Sequence, residues 1–145
     1  LTKILATDPG LSTGYAWIKV LDDRSIEILD IGVVKDIDGL EELKSKIEES
    51  DLLVIESFHV RPQDAHKLIF QELSAPEAIG VLKSMAKKAG IEFQMQSPSL
   101  KPVGYSWAGL TYTKGKKGMH SQDAIAHAIH CAVKRYNAYP LVSKK

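Results

Sequence analysis

Two short aliphatic runs, Ile4-Leu5-Ala6-Thr7 and Leu52-Leu53-Val54-Ile55, each end in a carboxylate, Asp8 and Glu56. Runs this short and this apolar suit strands buried on both faces, the usual condition of parallel pairing. An acid closing such a strand is costly unless it is paired or bound to a metal. Asp8 is followed by Pro9-Gly10, so its carboxylate should emerge where strand gives way to turn. Between the runs, Leu40, Leu43 and Ile47 recur at helical spacing over residues 39–49. A helical crossover there makes the second run parallel to one of the strands before it.

The remaining pattern extends this into an α/β domain. Residues 3–8, 14–20 and 26–34 read as three strands of an antiparallel meander joined by turn-rich segments, and 52–56 as a fourth. Residues 64–88 carry a long helical pattern that Pro76 kinks or restarts and Gly90 ends. Residues 91–95 form a fifth strand and 121–136 a final helix stopped before Pro140. The Gly- and Pro-containing stretch 97–119 reads as one long irregular connection.

Composition narrows the class. At 145 residues and 44% hydrophobic content the chain fits a single compact domain spanning 1–145. No apolar stretch reaches the roughly 18 residues of a membrane span, and no signal peptide is indicated, so a cytoplasmic protein with no membrane partner is expected. The lone Cys131 excludes an internal disulfide and suits a reducing compartment. The net charge of +1 hides an asymmetry: residues 101–145 carry Lys101, Lys114, Lys116, Lys117, Lys134, Arg135, Lys144 and Lys145 against Asp123 alone, and the preceding hundred are net acidic. Clustered cations beside a carboxylate site suit a polyanionic substrate, because the acids can hold metals while the lysines neutralise phosphates. The Gly-bracketed loop Lys114-Gly115-Lys116-Lys117-Gly118 is the best placed of these cations, and Lys144 and Lys145 read as a solvated tail.

His120 and Asp123 lie three apart at the start of the last helix, which puts both on one face. With Asp8 and Glu56 they make four candidate catalytic and metal-ligating residues. Each also has an ordinary structural role open to it. Asp8 can serve as a turn residue and Glu56 can end a strand in solvent, while His120 and Asp123 can mark a helix start capped by Ser121. His127 and His130 share the face of Asp123, and packing or support of the ligands suits them better than a zinc site, since no second Cys/His cluster accompanies them. Gly10 and Gly14 would let the first hairpin pass close to a phosphate. Trp17 reads as core, whereas Tyr105, Trp107 and Tyr112 either stack on unpaired bases or pin their loop.

Read together, Ile4-Leu5-Ala6-Thr7-Asp8-Pro9-Gly10-Leu11-Ser12-Thr13-Gly14-Tyr15, Val54-Ile55-Glu56 and His120-Ser121-Gln122-Asp123-Ala124-Ile125-Ala126 resemble the three acidic motifs of the RuvC Holliday-junction resolvases, within the RNase H-like superfamily. The resemblance spans about residues 3–135. It implies a five-stranded mixed sheet of order 3-2-1-4-5 flanked by helices. It also implies two divalent ions, Mg²⁺ or Mn²⁺, with Asp8 bridging, Glu56 completing one shell, and His120 with Asp123 completing the other. The implied reaction is two-metal hydrolysis of branched DNA that leaves 5′-phosphate and 3′-hydroxyl ends, carried out by a homodimer. An imidazole among the ligands favours Mn²⁺. Lys101 matches a basic residue that contacts DNA near the scissile phosphate in the family. Where many members have a base-stacking Phe, this chain has His59, with Phe58 one position earlier. The stretch from Lys101 to His120 is shorter than in bacterial enzymes, the compact form of a viral-type relative. Ile69, Phe70 and Leu73 are the expected dimer surface.

Two other classes remain as alternatives. An RNase H-like nuclease acting on RNA–DNA hybrids shares the same metal chemistry, and a catalytically silent nucleic-acid-binding domain would keep the fold. An actin-like ATPase would share the first motif, but its two lobes do not fit into 145 residues.

Overall fold

The computed structural model describes residues 1–58, 74–114 and 119–142. Their element order is β1 (Thr2–Asp8), β2 (Ser12–Val20), β3 (Ile26–Lys35), a 3₁₀ turn (Asp38–Leu43) leading into α1 (Lys44–Glu48), and β4 (Leu52–Glu56). Then come α2 (Ser74–Ala89), β5 (Glu92–Gln96), a 3₁₀ turn (Pro98–Leu100), α3 (Lys101–Ala108) and α4 (His120–Tyr136). The sheet has the order β3-β2-β1-β4-β5. The first three strands pair antiparallel, while β4 runs parallel to both β1 and β5. This is the RNase H-like α/β arrangement that the resemblance of the acidic motifs implies, and it contains the meander and the crossover read from the strand pattern. No helix among the described residues is long and apolar enough to cross a membrane.

Period-two alternation divides the strand side chains between two apolar layers. Ile4 and Ala6 of β1, Ala16 and Ile18 of β2, and Leu52 and Val54 of β4 pack against Ala124, Ala128, Ile129 and Ala132 of α4. Leu5 of β1 and Leu53 and Ile55 of β4 face the other way, onto Leu40, Leu43, Ile47, Ala78 and Leu82. These strand residues are all fully buried, as the two short runs require. The alternation continues to the strand ends. Asp8 follows Ile4 and Ala6, and Glu56 follows Leu52 and Val54, so both acids fall on the α4 side of the sheet.

The stretch 97–119 is not one irregular connection, because α3 occupies residues 101–108. Pro98 and Pro102 both stand in the first turns of their elements, where a missing N–H costs nothing. Gly109 ends α3 in the left-handed conformation, φ 75°. Gly104 is a contact point: a Cβ there would lie 2.3 Å from the backbone oxygen of Ala126, so only glycine allows α3 to lie this close to α4. Pro76 lies within α2, which runs unbroken from Ser74 to Ala89; the part of the long helical pattern before residue 74 lies outside the described residues. Trp17 is partly buried against the Leu5 layer and donates from Nε1 to Ser50 Oγ at 3.0 Å.

Candidate metal centre

Three elements bring one carboxylate each to the same place. β1 and β4 are in parallel register, Thr7 opposite Ile55, so their next residues, Asp8 and Glu56, end side by side. α4 crosses over them and supplies Asp123 from its first turn. Oxygen atoms of Asp8, Glu56 and Asp123 lie within 4.8 Å of one another. All three side chains are largely shielded, at 14%, 8% and 18% exposure.

His120, the fourth expected ligand, is at the rim. Its Nδ1 is 3.1 Å from Asp8 Oδ2, and its side chain is 40% exposed. It attends Asp8 and is not part of the three-acid cluster. Gly14 makes this approach possible. It pairs with Asp8 across β1 and β2, and a Cβ there would come within 2.1 Å of the His120 carbonyl group. At Gly14, the space expected for a passing phosphate is therefore filled by the start of α4.

The electrostatics of the two strand-end acids diverge. Burial pushes the Asp8 carboxyl up to about 8, and neighbouring Glu56 and Asp123 add to the rise while the His120 hydrogen bond opposes it. Glu56 moves the other way. Its burial would raise it, but the His127 ring, a hydrogen bond from Asp8 and the Lys101 ammonium hold it well below the usual carboxylate range. The hydrogen bond to Asp8 comes first in raising His120, with burial opposing it. Asp8 thus favours its protonated form, and a bound divalent cation would displace that proton.

The cation present is Lys101. Its Nζ lies 3.0 Å from Glu56 Oε1 and 3.4 Å from Asp123 Oδ2, and the side chain is 19% exposed. Burial would lower this ammonium, but Glu56 and then Asp123 hold it above its ordinary value. One turn further along α3, the phenol of Tyr105 donates to Asp123 Oδ1. Tyr105 is 1% exposed and braced edge-on by Tyr112 at 5.2 Å, so it holds an acid in place and is not free to stack on a base. Its pKa is raised, by burial first and then by Asp123, which keeps it a donor. This role was missed in the sequence. The available signal was the four-residue spacing of Lys101 and Tyr105 behind a helix-starting proline. Trp107 lies on His130, ring centroids 5.5 Å apart, and packs against the α4 layer, which gives both residues a packing role.

Phe58 lines an open cleft of about 220 Å³ with Asp8, Pro9, Glu56, Ser57, Pro98 and Lys101, and so borders the acids. Lys114 is an exposed turn residue. His59, Lys116 and Lys117, and the expected dimer residues Ile69, Phe70 and Leu73, lie outside the described residues. The donor set of hard carboxylate oxygens with one imidazole at the rim fits a divalent ion such as Mg²⁺ or Mn²⁺.

Solved structures share this architecture. Thermus thermophilus RuvC in complex with Holliday junction substrate aligns over 96% of this chain and 99% of its own, with a TM-score of 0.62 and 19% identity. A second T. thermophilus RuvC structure gives 0.60 at 18% identity, over 96% and 99% of the two chains. The fowlpox virus resolvase complexed with its substrate Holliday junction gives 0.55 at 12% identity, over 93% and 97%. At such identities the likeness is one of fold. No family model and no curated protein matches the chain.

Proposed function

We propose that residues 1–145 act as one metal-dependent, structure-selective DNA endonuclease domain that cleaves Holliday junctions or related branched DNA. The observation that carries this reading is the convergence of Asp8, Glu56 and Asp123, from two strand ends and a helix, within 4.8 Å on an RNase H-like sheet. Two of the structures that share the fold contain Holliday junctions, which makes four-way DNA the first substrate to try.

In this reading Asp8, Glu56 and Asp123, with His120 beside Asp8, hold two Mg²⁺ or Mn²⁺ ions. Bound ions would lower the pKa of an attacking water and stabilise the leaving 3′-oxygen, giving 5′-phosphate and 3′-hydroxyl ends. The chain's own residues prepare the site. Asp8 must give up its proton before it can serve as a ligand, and His120 Nδ1, 3.1 Å away, is the group placed to manage that proton. Tyr105 and Lys101 hold the two oxygens of Asp123, so its orientation is set before any substrate arrives. The ammonium of Lys101 borders the cleft where a phosphodiester would meet the acids, and Phe58 on the same wall offers a face to an unpaired base. Lys114, Lys116 and Lys117 would add contacts to the DNA backbone, with His59 near Phe58. Paired cutting of a four-way junction needs two sites, so a homodimer belongs to the proposal.

The test is cleavage of labelled four-way junction, flap, linear duplex and RNA–DNA hybrid substrates with Mg²⁺ or Mn²⁺, using Asp8→Asn as control. Metal-dependent cutting of the branched DNAs by the wild type alone is expected, faster with Mn²⁺. Cleavage of the hybrid alone would replace the substrate assignment with RNase H-type activity. No cleavage of any substrate would leave a silent binding domain.

A further inference from the structure

Two buried polar side chains stand behind the acids, one of them the His127 whose ring helps to hold Glu56 low. Gln96, the last residue of β5, pairs in register with Glu56 and is 4% exposed. Its carboxamide oxygen lies 2.7 Å from Nδ1 of His127. His127 stands one helical turn beyond Asp123 on α4, its side chain completely buried. Its Nε2 has no hydrogen-bond partner among the described residues and faces Glu56 Oε1 at 3.7 Å. The neighbouring core positions of α4, Ala124, Ala128 and Cys131, are small or apolar, so packing alone does not call for an imidazole here.

An orphaned buried ring nitrogen is costly, and a small rotation of the Glu56 side chain would remove that cost. The carboxamide of Gln96 offers an acceptor and a donor at nearly the same place. With the carboxamide turned over so that its NH₂ takes the place of Oε1 and donates to Nδ1, the ring proton sits on Nε2 and points at Glu56. We propose that Gln96 and His127 are positioning residues, with Gln96 fixing the His127 ring so that its Nε2–H orients Glu56 toward a bound divalent ion. The inference rests on the metal site proposed above and adds its supporting layer. Partners of this kind usually change metal affinity by about 10- to 100-fold when removed.

The experiment is calorimetric titration of Mn²⁺ into the metal-free full chain, with thermal melting of each variant alongside. His127→Leu is expected to weaken Mn²⁺ binding about tenfold or more. His127→Gln, which returns an amide N–H near the position of Nε2, should recover most of the loss. The double variant Gln96→Leu/His127→Leu removes both polar partners and orphans neither, so it should melt as cooperatively as the wild type yet bind weakly. Wild-type affinity in the folded double variant would overturn the proposal. So would a loss in His127→Leu that His127→Gln fails to restore, since that marks a packing defect. Absence of Mn²⁺ binding in the wild-type chain would instead remove the metal site itself, and the positioning role with it.

Discussion

The Asp8 side of the site and the Glu56 side begin from the same sequence logic and end in opposite electrostatic states. Each acid closes a buried strand, and the two stand next to each other in register. Around Asp8 are a turn, the rim residue His120 and two other acids, and the carboxyl is pushed up to about 8. Around Glu56 are Lys101, His127 and a proton shared from Asp8, and the carboxyl is held low. What separates them is the company supplied by α3 and α4, not their own strands. One acid is already compensated, and the other waits for a cation. Divergent paired acids of this kind are a recurrent sign of a working site.

Substitution breaks the comparison most strongly in activity. Asp8→Asn and Glu56→Gln each remove a proposed ligand whose electrostatic contribution is several kcal/mol, so junction cleavage should fall about a thousandfold or more in both. The same pair should split in stability. In metal-free protein at pH 9, Asp8→Asn removes a charge that burial and the neighbouring Glu56 and Asp123 disfavour, and it should raise stability by about 1–2 kcal/mol. Glu56→Gln strips the partly shielded Lys101 of its nearest partner and should lower stability by about 1–3 kcal/mol. Urea unfolding of both variants reads the sign directly, and equal shifts would erase the distinction drawn here.

The pH dependence follows from the same shifts. Asp8 and His120 both have raised folded values, so the stability they contribute is complete below their ordinary values of 3.8 and 6.5 and is lost as pH rises through the folded ones. The depressed Glu56 contributes stability above its ordinary value of 4.5 and loses it only in strong acid. The metal-free melting temperature should therefore fall between about pH 5 and 9, Asp8→Asn should flatten most of that slope, and added Mn²⁺ should restore stability at the alkaline end. A flat profile in the wild type would contradict the raised Asp8.

The smallest expected effect belongs to Tyr105→Phe. It removes one hydrogen bond to Asp123 Oδ1, worth about 1 kcal/mol, and frees that carboxylate to turn. Metal affinity should drop about tenfold with the fold intact. An unchanged affinity would mean that Lys101 alone fixes Asp123.

Much of this molecule could be read from residue order. Counting in twos from Ile4 to Asp8 and from Leu52 to Glu56 puts both acids on the face that a final apolar helix must cover, and Asp123 lies in that helix's first turn. The five-strand order came from the resemblance of the three acidic motifs, and the meander and the crossover agreed with it. α3 was not legible, because Pro98, Pro102, Gly104 and Gly109 look like breakers in one dimension. In the structure they are two helix-start prolines, one interhelical contact and one left-handed cap. The partners of the acids were hidden for a related reason. The resemblance makes Lys101 a DNA contact, and the sequence leaves Tyr105 either to stack on a base or to pin its loop; only the seating of α3 against α4 turns both toward Asp123. Gln96 showed no local signal, since its nearness to Glu56 depends on the pairing of β4 with β5.

The most direct test of the central claim is calorimetric Mn²⁺ binding to the metal-free chain at pH 7 in buffers of different ionisation enthalpy, which counts protons released per binding event. With the Asp8 carboxyl pushed up to about 8, binding should release close to one proton and grow tighter toward pH 8. Both the binding and the proton release should be lost in Asp8→Asn. Binding with no proton release would contradict the raised Asp8, and equal binding in Asp8→Asn would contradict the claim that these three acids form the metal centre.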